Sequence, residues 1–320
     1  MTLPLTLFTT CKAFDGEFET IQRNALSSWR AACPGSEVLV FGDEKGVSEC
    51  CRELGLRHIP NVKRTPLGTP LLDDLFAQAE RLGSNQLLAF INADIMIGKG
   101  LLSATALAQA RFEKFLLIAR RWNVAIGNPW DFTSSEWETK LARHARAHGS
   151  LEAPYGGIDL FLYRRGFWPK LPPFAVGRTR WDSALICNAR KMKVPVIDAT
   201  DSVTLVHQNH GYSHIPENAA GVFKGPEAVR NEQLLGGDAF IFTALNATHV
   251  IKNSRIRRNR IFYPPYLIRN LATGPALHPS LRFLIPFVHG LAPSWRRLRQ
   301  LGLKSSLQSV ARPSRRAKLK

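Results

Sequence analysis

The sequence predicts an α/β fold: a mostly parallel sheet flanked by helices, then an α+β half and a basic C-terminal extension. Short apolar strands alternate with helical segments throughout residues 1–120, which is typical of a parallel sheet covered on both faces. After residue 150 that regular alternation stops. Residues 251–320 contain sixteen Lys and Arg and no acid, whereas the first 250 residues are nearly neutral.

The elements of the first half follow from their residue patterns. Thr2–Thr9 is β-prone and predicts the first strand, and the helix after it has apolar residues at helical spacing. "EVLVFGD" predicts a second strand that ends at Asp43. Thr69 suits the N-cap of the next helix and Pro70 its first position. "QLLAFIN" is apolar on both faces, as expected of a central parallel strand.

The second half predicts a mixture of short elements. The polar, His- and Arg-rich stretch Trp130–Ser150 predicts a helix and a surface loop. "GGIDLFLYRR" predicts a strand after a glycine pair, and "TRWDSALICNARKM" predicts a short helix. "VPVIDAT" and "SVTLVHQNH" predict two further strands.

Composition limits the cellular context. The chain has 320 residues, of which 45% are hydrophobic, enough for one large domain or two ordinary ones. Five irregularly spaced cysteines favour reduced thiols, so we expect a cytoplasmic protein. No apolar run reaches the roughly 20 residues of a membrane-spanning helix, and "MTLPLTLFTTC" has no basic segment of a signal peptide.

Polar residues follow three of the predicted strands. Thr9 and Thr10 end the first, Asp43 the second, and Asp94 lies between apolar triplets in "LLAFINADIMIG". Ligands of open parallel sheets bind beyond the carboxyl ends of the strands, so these side chains are expected around one crevice. Asp94 as a cap of the following turn is the alternative.

"INADIMIG" after an apolar strand resembles the metal-binding DxD segment of GT-A glycosyltransferases, which transfer sugars from nucleotide-diphospho-sugars on a Rossmann-like sheet. "FTTCKAF", "GGIDLFLYRRGFW" and "GRTRWDSALICNAR" resemble other segments of that family, so the resemblance spans roughly Leu3–His214. It implies a divalent metal, Mn²⁺ or Mg²⁺, bound by Asp94, and a nucleotide-sugar donor contacted by Thr9, Thr10 and Asp43. Asn92 stands where the family has a first acid, and contact with the ribose or a metal-bound water is implied for it.

The resemblance also implies a late histidine near the metal. "HQNHGYSH" contains His207, His210 and His214, and we expect His207 or His210 at the site. The spacing fits no standard structural zinc site. A polar loop without metal is the alternative for each histidine.

Further roles come from the resemblance. Asp182 corresponds to the position of the catalytic base, with helix capping as the alternative. Gly157 and Asp159 correspond to substrate contacts, although an ion pair of Asp159 with Arg164, Arg165 or Arg180 is equally compatible. Trp181 would stack on a sugar or pack in the core. Arg120 or Arg121 would meet the diphosphate or lie on a solvated edge.

The domain prediction divides the chain into a nucleotide-sugar-binding part at 1–125, an acceptor-side part of the same domain at 126–250, and a partly disordered basic extension at 251–320. "APSWRRLRQLGLKSSLQSV" has apolar and basic sides, which suits an anionic membrane surface and a peripheral enzyme at the inner membrane face. The hydroxyl acceptor would then be a lipid or a surface polysaccharide. Nucleic acid is a poorer partner, since the body is neutral and no binding module is evident.

Two rival functions remain open from the sequence. A nucleotidyltransferase shares a similar nucleotide-binding sheet, but "TTCKAFDGEF" offers only Gly16 and Lys12 for a triphosphate loop. A non-catalytic nucleotide-sugar-binding protein is the second rival. The reason to consider it is that Asn92 stands in place of an acid.

Overall fold

A computed structural model describes residues 3–98, 100–152, 155–211, 219–237 and 240–259, with scattered positions between 270 and 280. Within them the strands are β1 (Leu5–Thr10), β2 (Glu37–Phe41), β3 (Arg57–Ile59), β4 (Leu87–Ile91), β5 (Ile95–Ile97), β6 (Leu116–Arg120), β7 (Trp122–Val124), β8 (Ser150–Leu151), β9 (Ile158–Arg164), β10 (Val196–Asp198), β11 (Leu205–Gln208), β12 (His249–Lys252) and β13 (Arg255–Arg258). The helices are α1 (Glu17–Ala32), α2 (Val47–Leu54), α3 (Leu72–Leu82), α4 (Gly100–Arg111), α5 (Trp137–His148), α6 (Trp181–Lys191), α7 (Ala219–Lys224) and α8 (Pro226–Leu235).

Nine of the described strands form the central sheet, in the order β13-β12-β10-β6-β9-β4-β1-β2-β3. The pairs β1–β2, β1–β4, β2–β3, β6–β10 and β10–β12 are parallel. β9 enters between β4 and β6 and is antiparallel to both. The predicted fold class, a mostly parallel sheet flanked by helices, is therefore confirmed.

Both faces of this sheet are covered, because successive residues of a strand point to opposite sides. On β1, Leu5 and Leu7 pack into one cluster with Trp29 of α1, whereas Phe8 packs into another with Phe76 of α3. The first cluster also receives residues of α2, α4 and α5, and the second receives residues of α6. This packing explains why the central strands are apolar on both faces.

A second sheet has the strand order β5-β11-β7-β8. The apolar stretch "LLAFINADIMIG" is thus divided between the sheets: β4 belongs to the large one and β5 to the small one, with a turn at residues 92–94. Helix α1 holds the turn side of β5, since the Trp29 indole donates a hydrogen bond to the Ile95 carbonyl at 2.7 Å. Asp94 therefore lies where the two sheets meet.

The predicted start of α3 is wrong by two residues. The N-cap is Leu71 in an extended conformation, and the helix begins at Leu72. The Thr69 hydroxyl instead donates a hydrogen bond to the Glu227 carboxylate at 2.7 Å, which ties the preceding loop to α8.

The C-terminal extension is described only in part. Its first residues complete β12 and add β13, an antiparallel edge strand. The basic amphipathic segment from residue 292 onward and His214 lie outside the described residues. No helix in the described ranges is long and apolar enough to span a membrane. All five cysteines are buried and free of disulfide bonds.

Candidate metal centre and surrounding site

Asp94, His207 and His210 form a compact cluster, with one ligand atom from each lying within 4.8 Å of the other two. Strand register creates this cluster. β11 pairs antiparallel with β5, so that His207 stands opposite Ile95, next to Asp94. The Gln208 backbone N–H then donates to the Asp94 carbonyl, and the chain turns to bring His210 to the same carboxylate. From the sequence we expected a metal at Asp94 with His207 or His210, and the structure brings all three side chains together.

The contacts at Asp94 involve one carboxylate oxygen. Its Oδ2 atom lies 3.3 Å from Nε2 of His210 and 3.7 Å from Nε2 of His207. Nδ1 of His210 lies 2.8 Å from the Gly211 carbonyl, an acceptor that favours the proton on Nδ1. In that tautomer Nε2 presents a lone pair to the carboxylate, so a proton or a metal cation between the two atoms is needed to make the contact favourable.

The charges around Asp94 stabilise its ionised form. Burial raises the pKa of this carboxyl, but His207, His210, Lys12 and Arg121 outweigh burial and hold the pKa well below its usual range. Burial also lowers the pKa of His207 to about 4, although Asp94 opposes this shift. At neutral pH the cluster therefore offers a carboxylate and a neutral imidazole at His207, the forms that bind metals.

The donor set fits a divalent metal. Oδ1 of Asp94 is buried and has no hydrogen-bond partner among the described residues, which is costly for a carboxylate oxygen unless a cation or a ligand donor meets it. One carboxylate and two imidazoles suit the borderline transition metals better than Mg²⁺, which prefers oxygen ligands. A metal held by these three side chains would keep positions for oxygen atoms of a substrate.

Buried amides hold the cluster in place. The Gln208 side chain donates to the Ile21 carbonyl at 2.8 Å and accepts from the Asn24 side chain at 2.9 Å. Gln208 and Asn24 are 0% and 3% exposed, respectively. Because Ile21 and Asn24 belong to α1, these bonds fix β11 against that helix. The sequence motif "HQNH" pointed to the histidines, but the glutamine between them was not predicted as a supporting residue.

Asn92 lies in a polar network next to the cluster. Its side-chain amide donates to Oδ1 of Asp159 at 2.5 Å, while Nη1 of Arg121 bonds Oδ2 of the same carboxylate at 2.9 Å. Arg121 also pairs with Glu152 at 3.0 Å. The ion-pair partner of Asp159 is thus Arg121, and the pairing with Arg164, Arg165 or Arg180 considered for it is not observed.

Two buried charges define this network. Burial raises the pKa of Asp159 to about 6, Arg121 opposes that shift, and Asp94 and Asp182 add to it. Burial disfavours the charge of Arg121, but Asp159, Asp94 and Glu152 raise its pKa above the ordinary value. Arg121 is thus a permanent cation shared by neighbouring carboxylates.

Gly157 allows the network to close. Its φ is +64°, and a Cβ atom there would lie 2.9 Å from Cβ of Glu152 and 3.3 Å from Cγ of Arg121. Its carbonyl accepts from the Arg121 backbone N–H at 2.8 Å. A side chain at this position would clash with Glu152 and Arg121. Gly157 was predicted to contact the substrate, and the contacts that the structure gives it are with these two residues.

The residues predicted to contact the nucleotide lie at the expected strand ends but differ in surroundings. Thr9 is fully buried, and its hydroxyl donates to the Thr10 carbonyl at 3.3 Å. The Thr10 hydroxyl is buried without a hydrogen-bond partner in the described structure. The Asp43 side chain is 74% exposed and pairs with Arg64 at 3.2 Å.

Asp182 and Trp181 begin α6 and have different environments. Burial raises the pKa of Asp182, while backbone N–H groups and the cations of Arg180 and Arg121 oppose the shift. Trp181 is 4% exposed, and its ring lies 5.4 Å from the rings of both Phe90 and Phe161. Of the two roles considered for Trp181, core packing is the observed one.

Two cations near the cluster were not predicted as site residues. Lys12 follows β1 and contributes to lowering the pKa of Asp94, and Arg178 is close enough to Lys12 to lower the pKa of that lysine. The sequence signal for Lys12 was its position one residue past "TTC". Arg178 gave no signal, because its place depends on the buried ion pair with Glu227 at 2.8 Å.

No protein-family model and no curated protein matches the chain. Among solved structures, Staphylococcus aureus TarS 1–349 in complex with UDP matches at 18% identity and a TM-score of 0.30 over 38% of this chain and 36% of that chain. The mannosyltransferase PcManGT from Pyrobaculum calidifontis, in complex with GDP-Man and Mn²⁺, matches at 14% identity and a TM-score of 0.44 over 97% and 81%. The glucosyl-3-phosphoglycerate synthase of Mycobacterium tuberculosis, in complex with Mg²⁺ and UDP, matches at 14% identity and a TM-score of 0.42 over 73% and 80%.

Each of these structures contains a nucleoside diphosphate or a nucleotide sugar. The matched region spans about a third of the S. aureus chain. With TM-scores below 0.5, these matches assign neither a family nor an activity to this chain.

Proposed function

We propose that the protein is a glycosyltransferase that uses a nucleotide-diphospho-sugar and a divalent metal held by Asp94, His207 and His210. The observation that carries the proposal is this three-residue cluster at the carboxyl end of a central parallel strand, where ligands of such sheets bind. A metal bound there would offset the charge of the diphosphate as it leaves the sugar.

The side chains of the protein have separate roles in this proposal. Thr10 offers an unpaired hydroxyl at the end of β1, on the nucleotide side. Arg121 keeps a fixed positive charge near Asp94. Asp182 is the proposed general base toward the acceptor hydroxyl, because a buried carboxylate with a raised pKa accepts a proton more readily near neutral pH.

The test is release or transfer of sugar from a panel of UDP-, GDP- and dTDP-sugars with Mn²⁺. We expect at least one donor to be turned over, and Asp94→Asn to reduce turnover by about a hundredfold or more through loss of a metal ligand. Glu113→Gln is the matched control, because this exposed acid precedes β6 and so lies at the opposite edge of the sheet. Equal turnover by wild type and Asp94→Asn would refute the proposal.

A non-catalytic nucleotide-sugar-binding protein is the second candidate. The observation that favours it is the engagement of Asn92 by Asp159, which leaves Asp94 as the one acid of the DxD-like segment. Calorimetry separates the candidates: binding of metal and donor without turnover of any sugar in the panel would support the second. A nucleotidyltransferase would instead release pyrophosphate from a nucleoside triphosphate and a sugar phosphate.

The acceptor in this proposal is a hydroxyl group. Contact of the basic C-terminal segment with an anionic membrane remains a prediction from sequence, since that segment lies outside the described residues. A lipid or surface-polysaccharide acceptor would suit such contact.

A further inference from the structure

Lys12 stands beside the proposed metal centre on a fixed backbone. It follows β1 at the carboxyl end of the sheet. The buried Gln22 side chain accepts from the Lys12 backbone N–H at 2.6 Å and donates to the Lys12 carbonyl at 3.0 Å. Two hydrogen bonds from one side chain therefore fix the residue that carries the ammonium group, so the strand end does not drift relative to α1.

The Lys12 ammonium packs on a ring that also contacts the cluster. It lies 4.1 Å from the centre of the Phe18 ring, and the same ring contacts that of His210 with centroids 5.0 Å apart. The charge of Lys12 lowers the pKa of Asp94. The Phe18 ring thus contacts both the Lys12 ammonium and the His210 imidazole.

The other cations of this region already have anionic partners. Arg121 pairs with Asp159 and Glu152, and Arg178 pairs with Glu227. For Lys12, no ion pair within 4 Å and no side-chain hydrogen bond occurs among the described residues. A half-buried ammonium without a carboxylate at bonding distance costs free energy that an anionic ligand would recover.

We propose that the Lys12 ammonium binds a phosphate oxygen of the diphosphate, beside Asp94, His207 and His210, which would hold the metal. This inference rests on the proposed function and assigns the residue that recognises the leaving diphosphate. A lysine is a compact point charge suited to phosphate, and the Phe18 ring restricts where the ammonium can go.

The electrostatics of the lysine support this assignment. Burial lowers the pKa of Lys12 to about 8, with Asp94 and Glu17 opposing and Arg178 adding to the shift. A diphosphate with two or three negative charges would offset the free energy that burial of the charged ammonium costs. A surface lysine that merely shields the Phe18 ring would not show any preference for pyrophosphate over monophosphate.

The experiment measures two affinities on the same variants by calorimetry: Mn²⁺ alone, and inorganic pyrophosphate in the presence of Mn²⁺, with inorganic phosphate for comparison. The variants are Lys12→Met, Lys12→Arg and, as the control, Lys114→Met. Lys114 is an exposed lysine that precedes β6, at the opposite edge of the sheet. Lys12→Gln replaces Lys12→Met if the methionine variant does not fold.

The inference predicts that Lys12→Met weakens pyrophosphate binding without weakening Mn²⁺ binding. Lys12→Met should weaken pyrophosphate binding by about 10- to 100-fold, as expected for a lost charge-assisted hydrogen bond. The same variant should bind Mn²⁺ as tightly as wild type or more tightly, because a cation that competes for Asp94 is gone. Lys12→Arg should retain most pyrophosphate affinity, and Lys114→Met should match wild type.

Two results would overturn the inference. One is equal pyrophosphate affinity in wild type and Lys12→Met. The other is a parallel loss of Mn²⁺ and pyrophosphate affinity, which would mean that the substitution damages the site as a whole. The proposed function fails separately: pyrophosphate binding that depends on Lys12 in a protein with no sugar-transfer activity would leave this inference standing for a diphosphate-binding protein.

Discussion

The Asn92 amide donates a hydrogen bond to the Asp159 carboxylate at 2.5 Å, so this side chain is engaged within the protein. Introducing an acid with Asn92→Asp would place two carboxylates in contact. We expect this variant to lose about 1–3 kcal/mol of unfolding free energy in urea denaturation and to gain no Mn²⁺ affinity. Asn92→Ala is the control that removes the hydrogen bond without adding charge. A stable Asn92→Asp variant with tighter Mn²⁺ binding would contradict this account.

The two imidazoles of the cluster predict a metal preference. Zn²⁺ and Mn²⁺ should bind more tightly than Mg²⁺ in calorimetric titrations, since nitrogen donors suit transition metals. His210→Asp should reduce the difference between the affinities for the transition metals and for Mg²⁺, because it replaces a nitrogen ligand with oxygen. His148→Ala changes an exposed histidine at the end of α5 and should leave all three affinities unchanged. Tighter binding of Mg²⁺ than of Mn²⁺ by the wild type would refute the prediction.

Stability without metal should depend on pH through His207. Its pKa is about 4 in the folded protein, against about 6.5 for an ordinary histidine. Between these values the unfolded chain binds more protons, so stability is complete above pH 6.5 and falls as the pH falls toward 4, by on the order of 2–3 kcal/mol. The depressed pKa of Asp94 adds a loss only at still lower pH.

Urea denaturation in EDTA at several pH values measures this dependence. Asp94, Arg121 and His210 are the charged or titratable groups acting on His207, and all three remain in His207→Gln. That variant should lose most of the slope between pH 6.5 and 4. An unchanged slope would assign the pH dependence to other groups.

Asp182→Asn tests the proposed base. We expect kcat to fall by about 10²- to 10⁴-fold while donor affinity stays close to that of wild type, because an amide cannot accept the acceptor proton. Glu113→Gln again serves as the control. If Asp182 only supports the first turn of α6, the substitution will lower the melting temperature and leave kcat intact.

Trp181→Leu should lower the stability of the folded protein. The indole is 4% exposed between Phe90 and Phe161, so truncation removes buried contacts and should cost about 2–4 kcal/mol in urea denaturation. The donor KM should remain within about twofold of wild type. A large rise in KM without loss of stability would instead support a sugar-stacking role.

The sequence predicted the site where the information is local. Asp94 follows an apolar strand, and His207 and His210 follow another within one short motif, so strand-end reasoning with the family resemblance predicted that Asp94 and one of these histidines would lie close together, as they do. The hydrogen-bond partner of Asn92 could not be predicted from the sequence, because Asp159 lies 67 positions further along the chain. Alternation and hydrophobicity do not reveal that β9 enters the sheet between β4 and β6.

Trp181 and Thr69 show a second limit. A tryptophan beside an acid is equally compatible with stacking on a bound sugar and with packing in the hydrophobic core, because both bury its ring. Thr69 suits a helix cap, but its hydroxyl is used by the buried Glu227 of α8, a long-range contact that outweighs the local preference. Residue type alone does not distinguish these outcomes.

The insertion of β9 has a consequence for how the chain can be divided. β4 and β6 both belong to the first 125 residues, yet each forms its hydrogen bonds on one side with β9, from residues 158–164. A fragment ending at residue 125 would expose two apolar strand edges in the middle of its sheet, an arrangement that favours aggregation. Residues 1–125 therefore cannot be transplanted as a module, and a chimaera must exchange them together with β9.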